Sequence, residues 1–121
     1  MKQEEFNEIF RYRTKRLALE IIHITSTLKF SDALSIIRKQ LVRSSTSVAA
    51  NYRAVCRSRS ERERFAKLCI VVEEADENLF WIEMLIEGNF IIANEMTKIK
   101  NESEEILKVM AAYKKKLQQN H

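Results

Sequence analysis

The sequence predicts an all-α protein, an antiparallel up-down-up-down four-helix bundle forming one domain over residues 1–121. Three observations carry this. The chain has no Pro and one Gly, whereas an all-β domain of this size needs many turns, which draw on both residues. Hydrophobic residues make up 45% of it, enough for a core and against global disorder. Apolar positions recur at alternating steps of three and four along four stretches of about 25 residues, the pattern of helices that bury one face.

The first helix is expected over Glu4 to Leu28, with Phe6, Phe10, Leu17, Ile21, Ile24 and Leu28 on one stripe. Arg13 falls in the same stripe and must snorkel or lie outside the core. Ser31 reads as the N-cap of the second helix, expected over Asp32 to Arg57. Its seam is Leu34, Ile37, Leu41, Ser44, Val48, Tyr52 and Val55, a heptad-like repeat. Ser60 and Glu63 form the S-x-x-E signature of a helix start. The third helix then runs over Glu61 to Glu87, with Phe65, Leu68, Val72, Ala75, Leu79, Ile82 and Ile86 as its seam. Gly88 and Asn89 end it, Gly being common just past a helix. Phe90 to Ala93 read equally as loop or first turn. The fourth helix covers Asn94 to Gln118, with Met96, Ile99, Ser103, Ile106, Met110, Tyr113 and Leu117 inward. The final residues, KLQQNH, are expected to fray. Helices this long reach roughly 37 Å, and short connections make neighbours antiparallel.

Charge is segregated along the chain. No acid lies between Asp32 and Glu61, and no base lies between Lys67 and Lys98. On a helical wheel, Lys39, Arg43, Arg53 and Arg57 point away from the second helix's seam. Thr46, Ala49 and Ala50 lie among them. Small side chains there would let another helix or a phosphate backbone approach closely. Ser44, Ser45 and Ser47 are expected to bond carbonyls one turn back. The third helix places Trp81 opposite its seam, near Ile70 and Met84, with Glu74 and Glu77 between them. An apolar patch on a solvated face marks an interaction site, and Trp is a frequent anchor. One reading packs the small, basic back of the second helix in one subunit on this acidic, Trp-bearing face in another. Such a heterologous contact closes into a ring or runs on as a fibre. The alternative is that Trp81 covers a neighbouring helix of its own bundle.

Catalysis finds little support. His23 and His121 are the only histidines, and neither has partners in sequence for a nucleophile or a di-iron site, which needs Glu-x-x-His on paired helices. There is no Gly-rich phosphate loop. Cys56 and Cys69 lack metal-ligand spacing and read as reduced thiols. An enzyme is not expected, nor is any cofactor or metal. The apolar runs are too short to span a membrane, and MKQEEFNEIF lacks a signal-peptide core, so a cytoplasmic protein is expected. The net charge of +4 and pI near 9.2 are compatible with an anionic partner.

The run QLVRSSTSVAANYRAVCRSRS followed by FAKLCIVVEEADENLFWIEML resembles the bacterial four-helix-bundle family of 23S rRNA intervening-sequence proteins. Arg43, Ser44, Ser47 and Asn51 match its pattern on the second helix. Glu74, Ala75, Asp76, Glu77 and Trp81 match its pattern on the third. The match is close from about Leu34 to Ile86, and the flanking helices agree in length and pattern only. Ala54 departs from it, standing where the family often has Glu after Asn-x-Arg. The resemblance implies similarity to the accessory protein of diversity-generating retroelements, a basic pentameric bundle that works with a reverse transcriptase and nucleic acid. Other members are encoded within insertions in bacterial large-subunit rRNA genes.

Two functions are therefore expected to compete. The first is a non-catalytic nucleic-acid-binding accessory protein, holding phosphates of RNA or DNA through Lys39, Arg43, Arg53, Arg57 and Arg59. Arg11, Arg13, Lys15 and Arg16 form a second patch, and Lys114, Lys115 and Lys116 a reserve. The second is a homo-oligomeric scaffold, a homopentamer by resemblance. Its interface would use Ser44, Ser47, Ala50, Asn51 and Arg53 on one side and Ile70, Glu74, Glu77, Trp81 and Met84 on the other.

Overall fold

A computed structural model describes residues 1–120; the sequence reading of His121 lies outside them. Four helices follow in order: α1 (Gln3–Thr25), α2 (Asp32–Cys56), α3 (Glu61–Glu87) and α4 (Ala93–Gln119). Each packs on its neighbours in sequence, and α1 also meets α4, closing a four-cornered bundle; α2 against α3 is the most extensive contact. Side-chain pairs run in opposite order along α1 and α4, and single pairs link α2 to α3 and to α1. Arg13 meets Glu102 while Gln3 meets Tyr113; Ser44 meets Asn78, and Tyr52 meets Asn7. Helices α1 and α4 are therefore antiparallel, and the short connections are of the kind that join antiparallel neighbours. No helix among the described residues is long and apolar enough to cross a membrane.

The caps work as the sequence indicates at two of the four starts. The Ser31 hydroxyl accepts from the Leu34 N–H and the Ser60 hydroxyl from the Glu63 N–H, both at 3.1 Å, each satisfying an otherwise orphaned donor. Helix α1 ends at Thr25, a turn before the expected Leu28. Thr25, Ser26 and Thr27 turn their hydroxyls onto the carbonyls of Ile21, His23 and Ile24. The backbone tightens to three-residue bonds, Thr27 N–H to Ile24 and Leu28 N–H to Thr25, a common way for a helix to stop.

At the end of α3 the left-handed residue is Asn89 (φ 60°), not Gly88, whose φ is −78°. Asn89 N–H bonds the Ile86 carbonyl and Phe90 N–H the Leu85 carbonyl, a Schellman closure with Asn in the left-handed place. Gly88 is needed for space, since a Cβ there would stand 2.7 Å from the Phe90 ring. Phe90 is half-buried and Ile91 buried, so residues 90–92 form an apolar connection and α4 starts at Ala93. It continues to Gln119, taking in residues 116–119 of the KLQQNH segment.

All seven expected seam positions of α2 are buried. In α4 six of seven are, with Tyr113 half-buried. Helix α3 is rotated from the expected seam: Leu68, Ala75 and Ile82 are buried as read, but their companions are Val71, Asn78 and Leu85 rather than Val72, Leu79 and Ile86. The cause is Asn78. Its side chain accepts from the Ser44 hydroxyl at 3.2 Å and donates to the Ser103 hydroxyl at 3.3 Å, linking α2, α3 and α4 inside the core. Both functions of this polar side chain are satisfied in the interior, which removes the cost of burying it. In α1, Thr14 and Thr25 are buried by the same logic, back-bonding Phe10 and Ile21 at 2.7 Å.

Candidate nucleic-acid interface

Between α1 and α2 lies an open groove of about 620 Å³. From α1 it takes Arg11, Tyr12, Lys15, Ala18, Leu19 and Ile22; from α2 it takes Thr46, Ala49, Ala50, Arg53 and Arg57. These positions repeat at three- and four-residue steps on each helix, so each set forms one stripe. The small side chains of Ala18, Ala49 and Ala50 keep the floor low. Arg11, Lys15, Arg53 and Arg57 supply four cations and the lining contains no acid. All four are exposed, and among the described residues none is held in an ion pair. Two cations from each of the basic patches read separately from the sequence thus share one groove. Ile22 also lines a shallower recess with Arg38 and Lys39, which carries the basic track toward the start of α2.

The other expected phosphate contacts divide. Arg59 is exposed in the α2–α3 connection, and Lys115 and Lys116 are exposed on α4, with Lys114 half-buried. Arg43 is a correction to the sequence reading. It spans to α3, bonding Glu74 at 2.8 Å and Glu77 as well. The Glu77 hydrogen bond first, then that to Glu74, holds its guanidinium above its ordinary pKa. Glu77 in turn sits below the usual carboxylate range, held by Arg43 and by the Trp81 indole N–H. Arg13 is engaged with Glu102 of α4 at 2.9 and 2.6 Å, and its guanidinium stands 4.7 Å over the Phe10 ring. Arg16 pairs with Glu20 one turn on. Each of these three cations already has a carboxylate partner within its own chain.

The expected interface residues also move. Ser44 is fully buried, its hydroxyl bonded to Asn78 and near the Leu41 carbonyl, so it offers nothing to another subunit. Ser47 and Asn51 are half-buried and bond each other. Ala50 and Arg53 face the groove. Trp81 does not stand opposite the core: it is half-buried and packs against it, because α3 is rotated to take Asn78 inward. What stays outside on α3 is Ile70, Phe80 and Met84, with Phe80 edge-on to Trp81 at 4.9 Å between centroids.

Sequence reasoning missed Tyr12, Leu19 and Ile22 as groove residues and Asn78 as a core residue. Tyr12 is 68% exposed. Its spacing with Lys15, Leu19 and Ile22 was a readable stripe, but one that pointed nowhere until α2 was placed beside it. Beneath the groove, burial pushes the Cys56 thiol up despite Tyr52 and Arg11 beside it. Burial likewise pushes the Tyr52 hydroxyl far above its ordinary value; that hydroxyl is 3.3 Å from the Asn7 side-chain oxygen. A second cavity, of about 560 Å³, opens at the end where α1 and α3 begin, but it holds Glu61, which bonds Arg64 in the same lining. Among the described residues no group of His, Cys, Asp and Glu is gathered as a metal site.

The model of the family described as 23S rRNA-intervening sequence protein matches residues 8–112 of the chain. Among solved structures, the chain is similar to a protein of unknown function from the S23 ribosomal protein family of Bacteroides thetaiotaomicron. The two share 27% identity and a TM-score of 0.79, over 90% of this chain and 97% of that one. No protein with a curated description matches significantly.

Proposed function

We propose that this chain, which belongs to the 23S rRNA-intervening sequence protein family, is a non-catalytic nucleic-acid-binding accessory protein that holds phosphates in the α1–α2 groove. The observation that carries the reading is the gathering of Arg11, Lys15, Arg53 and Arg57 in one groove without an acid. Cations held in no ion pair neutralise phosphates and release condensed counterions, whereas cations already paired with carboxylates gain little. Such contacts position a backbone and carry no base readout. The protein would act in the bacterial cytoplasm. A reverse transcriptase is the protein partner that the family likeness suggests.

Fluorescence anisotropy of a labelled RNA across a salt series tests this. Four contacts at roughly 0.7 each give a slope of log affinity against log salt near −3. Absence of binding at low salt would end the reading.

The exposed Ile70, Phe80 and Met84 favour a second reading, a scaffold that self-assembles through α3, as a ring of five on the family likeness. Met84→Glu, which leaves the core-packed Trp81 alone, should then lower the native mass. An unchanged oligomer would sink that reading.

A further inference from the structure

The groove's lining is only half cationic, and the other half selects the form of nucleic acid. Leu19 and Ile22 remain partly exposed along one wall, and the floor is alanine. Tyr12 stands at the edge among Arg11 and Lys15 with 68% of its surface in solvent. A duplex presents sugar and phosphate outward and keeps its base faces stacked inside. Laid over this groove, it would press charged rails onto apolar walls that cannot replace their water. Proteins that read duplex sequence through the major groove insert a helix or ribbon there; here the cations line a recess between two helices. A single strand has free base faces, and an exposed aromatic ring flanked by cations is how such strands are held irrespective of sequence.

Resting on the nucleic-acid reading above, we infer that the α1–α2 groove binds single-stranded RNA or DNA in preference to duplex, with a base stacked on Tyr12 and the backbone along Arg11, Lys15, Arg53 and Arg57. A second copy of the chain is the weaker occupant. Glu74 and Glu77, which would have met these cations from another subunit, are held by Arg43 of their own chain.

The test uses the full chain and labelled 12-nucleotide oligo(U), oligo(dT) and a 12-base-pair duplex, at one fixed low salt concentration. Single strands are expected to bind at least tenfold more tightly than the duplex. Tyr12→Ala should weaken single-strand binding about five- to hundredfold, the range for loss of one stacked base, with duplex binding and salt slope unchanged. Tyr12→Phe should restore it. Tyr12 is so exposed that folding is not at stake, and an unaltered thermal melt checks this. Equal binding of duplex, or no effect of Tyr12→Ala, overturns the inference and leaves phosphate binding standing. No binding of any probe, together with a native mass that falls in Arg53→Glu, overturns both and gives the groove to a second copy.

Discussion

Arg43 and Arg53 lie on the same helix, both exposed, yet they meet opposite neighbours. Arg43 faces α3, which brings Glu74 and Glu77 within reach. Arg53 faces α1, which brings Arg11, Lys15, Tyr12 and small or apolar side chains. One side of α2 is thus closed electrostatically by its own chain, and the other is left open and positive. The contrast teaches that exposure and charge do not by themselves make a phosphate ligand. The adjacent helix decides, by supplying or withholding a carboxylate.

The largest test of the closed side acts from beneath it. Asn78→Ala takes the amide donor from the buried Ser103 hydroxyl and leaves the Ser44 hydroxyl only the Leu41 carbonyl of its own helix, which removes the link where α2, α3 and α4 meet. Unfolding by urea should show a loss of about 2–3 kcal/mol. A loss below about 0.5 kcal/mol would show that the buried link contributes nothing.

Next in size is an effect on the open side. Tyr52, under the groove, has its hydroxyl pKa raised by burial, so the native state keeps a proton that the unfolded chain releases near pH 10. The stability this provides is full below that pH and declines above it, by about 1 kcal/mol per pH unit. Thermal melts from pH 9 to 11 should show the wild type declining more steeply than Tyr52→Phe; parallel curves would contradict the assignment.

A smaller effect converts the closed side into an open one. Glu74→Gln with Glu77→Gln frees Arg43. Ion pairs this exposed are worth less than about 1 kcal/mol, so stability should change little, while the salt slope for RNA gains about 0.7 in magnitude if Arg43 reaches the track. The smallest effect is at acid pH. Glu77 titrates below its ordinary value of 4.5 because Arg43 and Trp81 hold its charged form. Its contribution is present above that value and is lost as pH falls through the lower folded one. The wild type's advantage over Glu77→Gln should therefore shrink between pH 5 and 3 in thermal melts.

Much of the bundle was legible because period and capping are local. The α2 seam, Ser31 and Ser60 each declare themselves within a few residues. Helix α3 was misread where a non-local fact intervened: Asn78 is inward only because Ser44 and Ser103 come from two other helices to meet it. Its rotation then moved Trp81 from the expected outer face onto the core. The same limit applies to the groove. Each helix showed a basic stripe, but which stripes face each other depends on the rotation of α1 against α2. That is also why the sequence grouped Arg43 with Arg53 when their neighbours separate them. At the end of α3 the sequence marks Gly88 and Asn89 as the stop, but not their separate parts: Phe90 folding back over Gly88 requires the missing Cβ, and Asn89 takes the left-handed turn.

The most direct test of the difference between the two sides is a matched pair of substitutions on α2. Single-stranded RNA binding is followed across a salt series for wild type, Arg43→Ala and Arg53→Ala. Arg53→Ala should weaken binding and lower the magnitude of the salt slope by about 0.7, one phosphate contact, while Arg43→Ala should leave both unchanged. Equal losses for the two, or a loss for Arg43→Ala alone, would contradict the account.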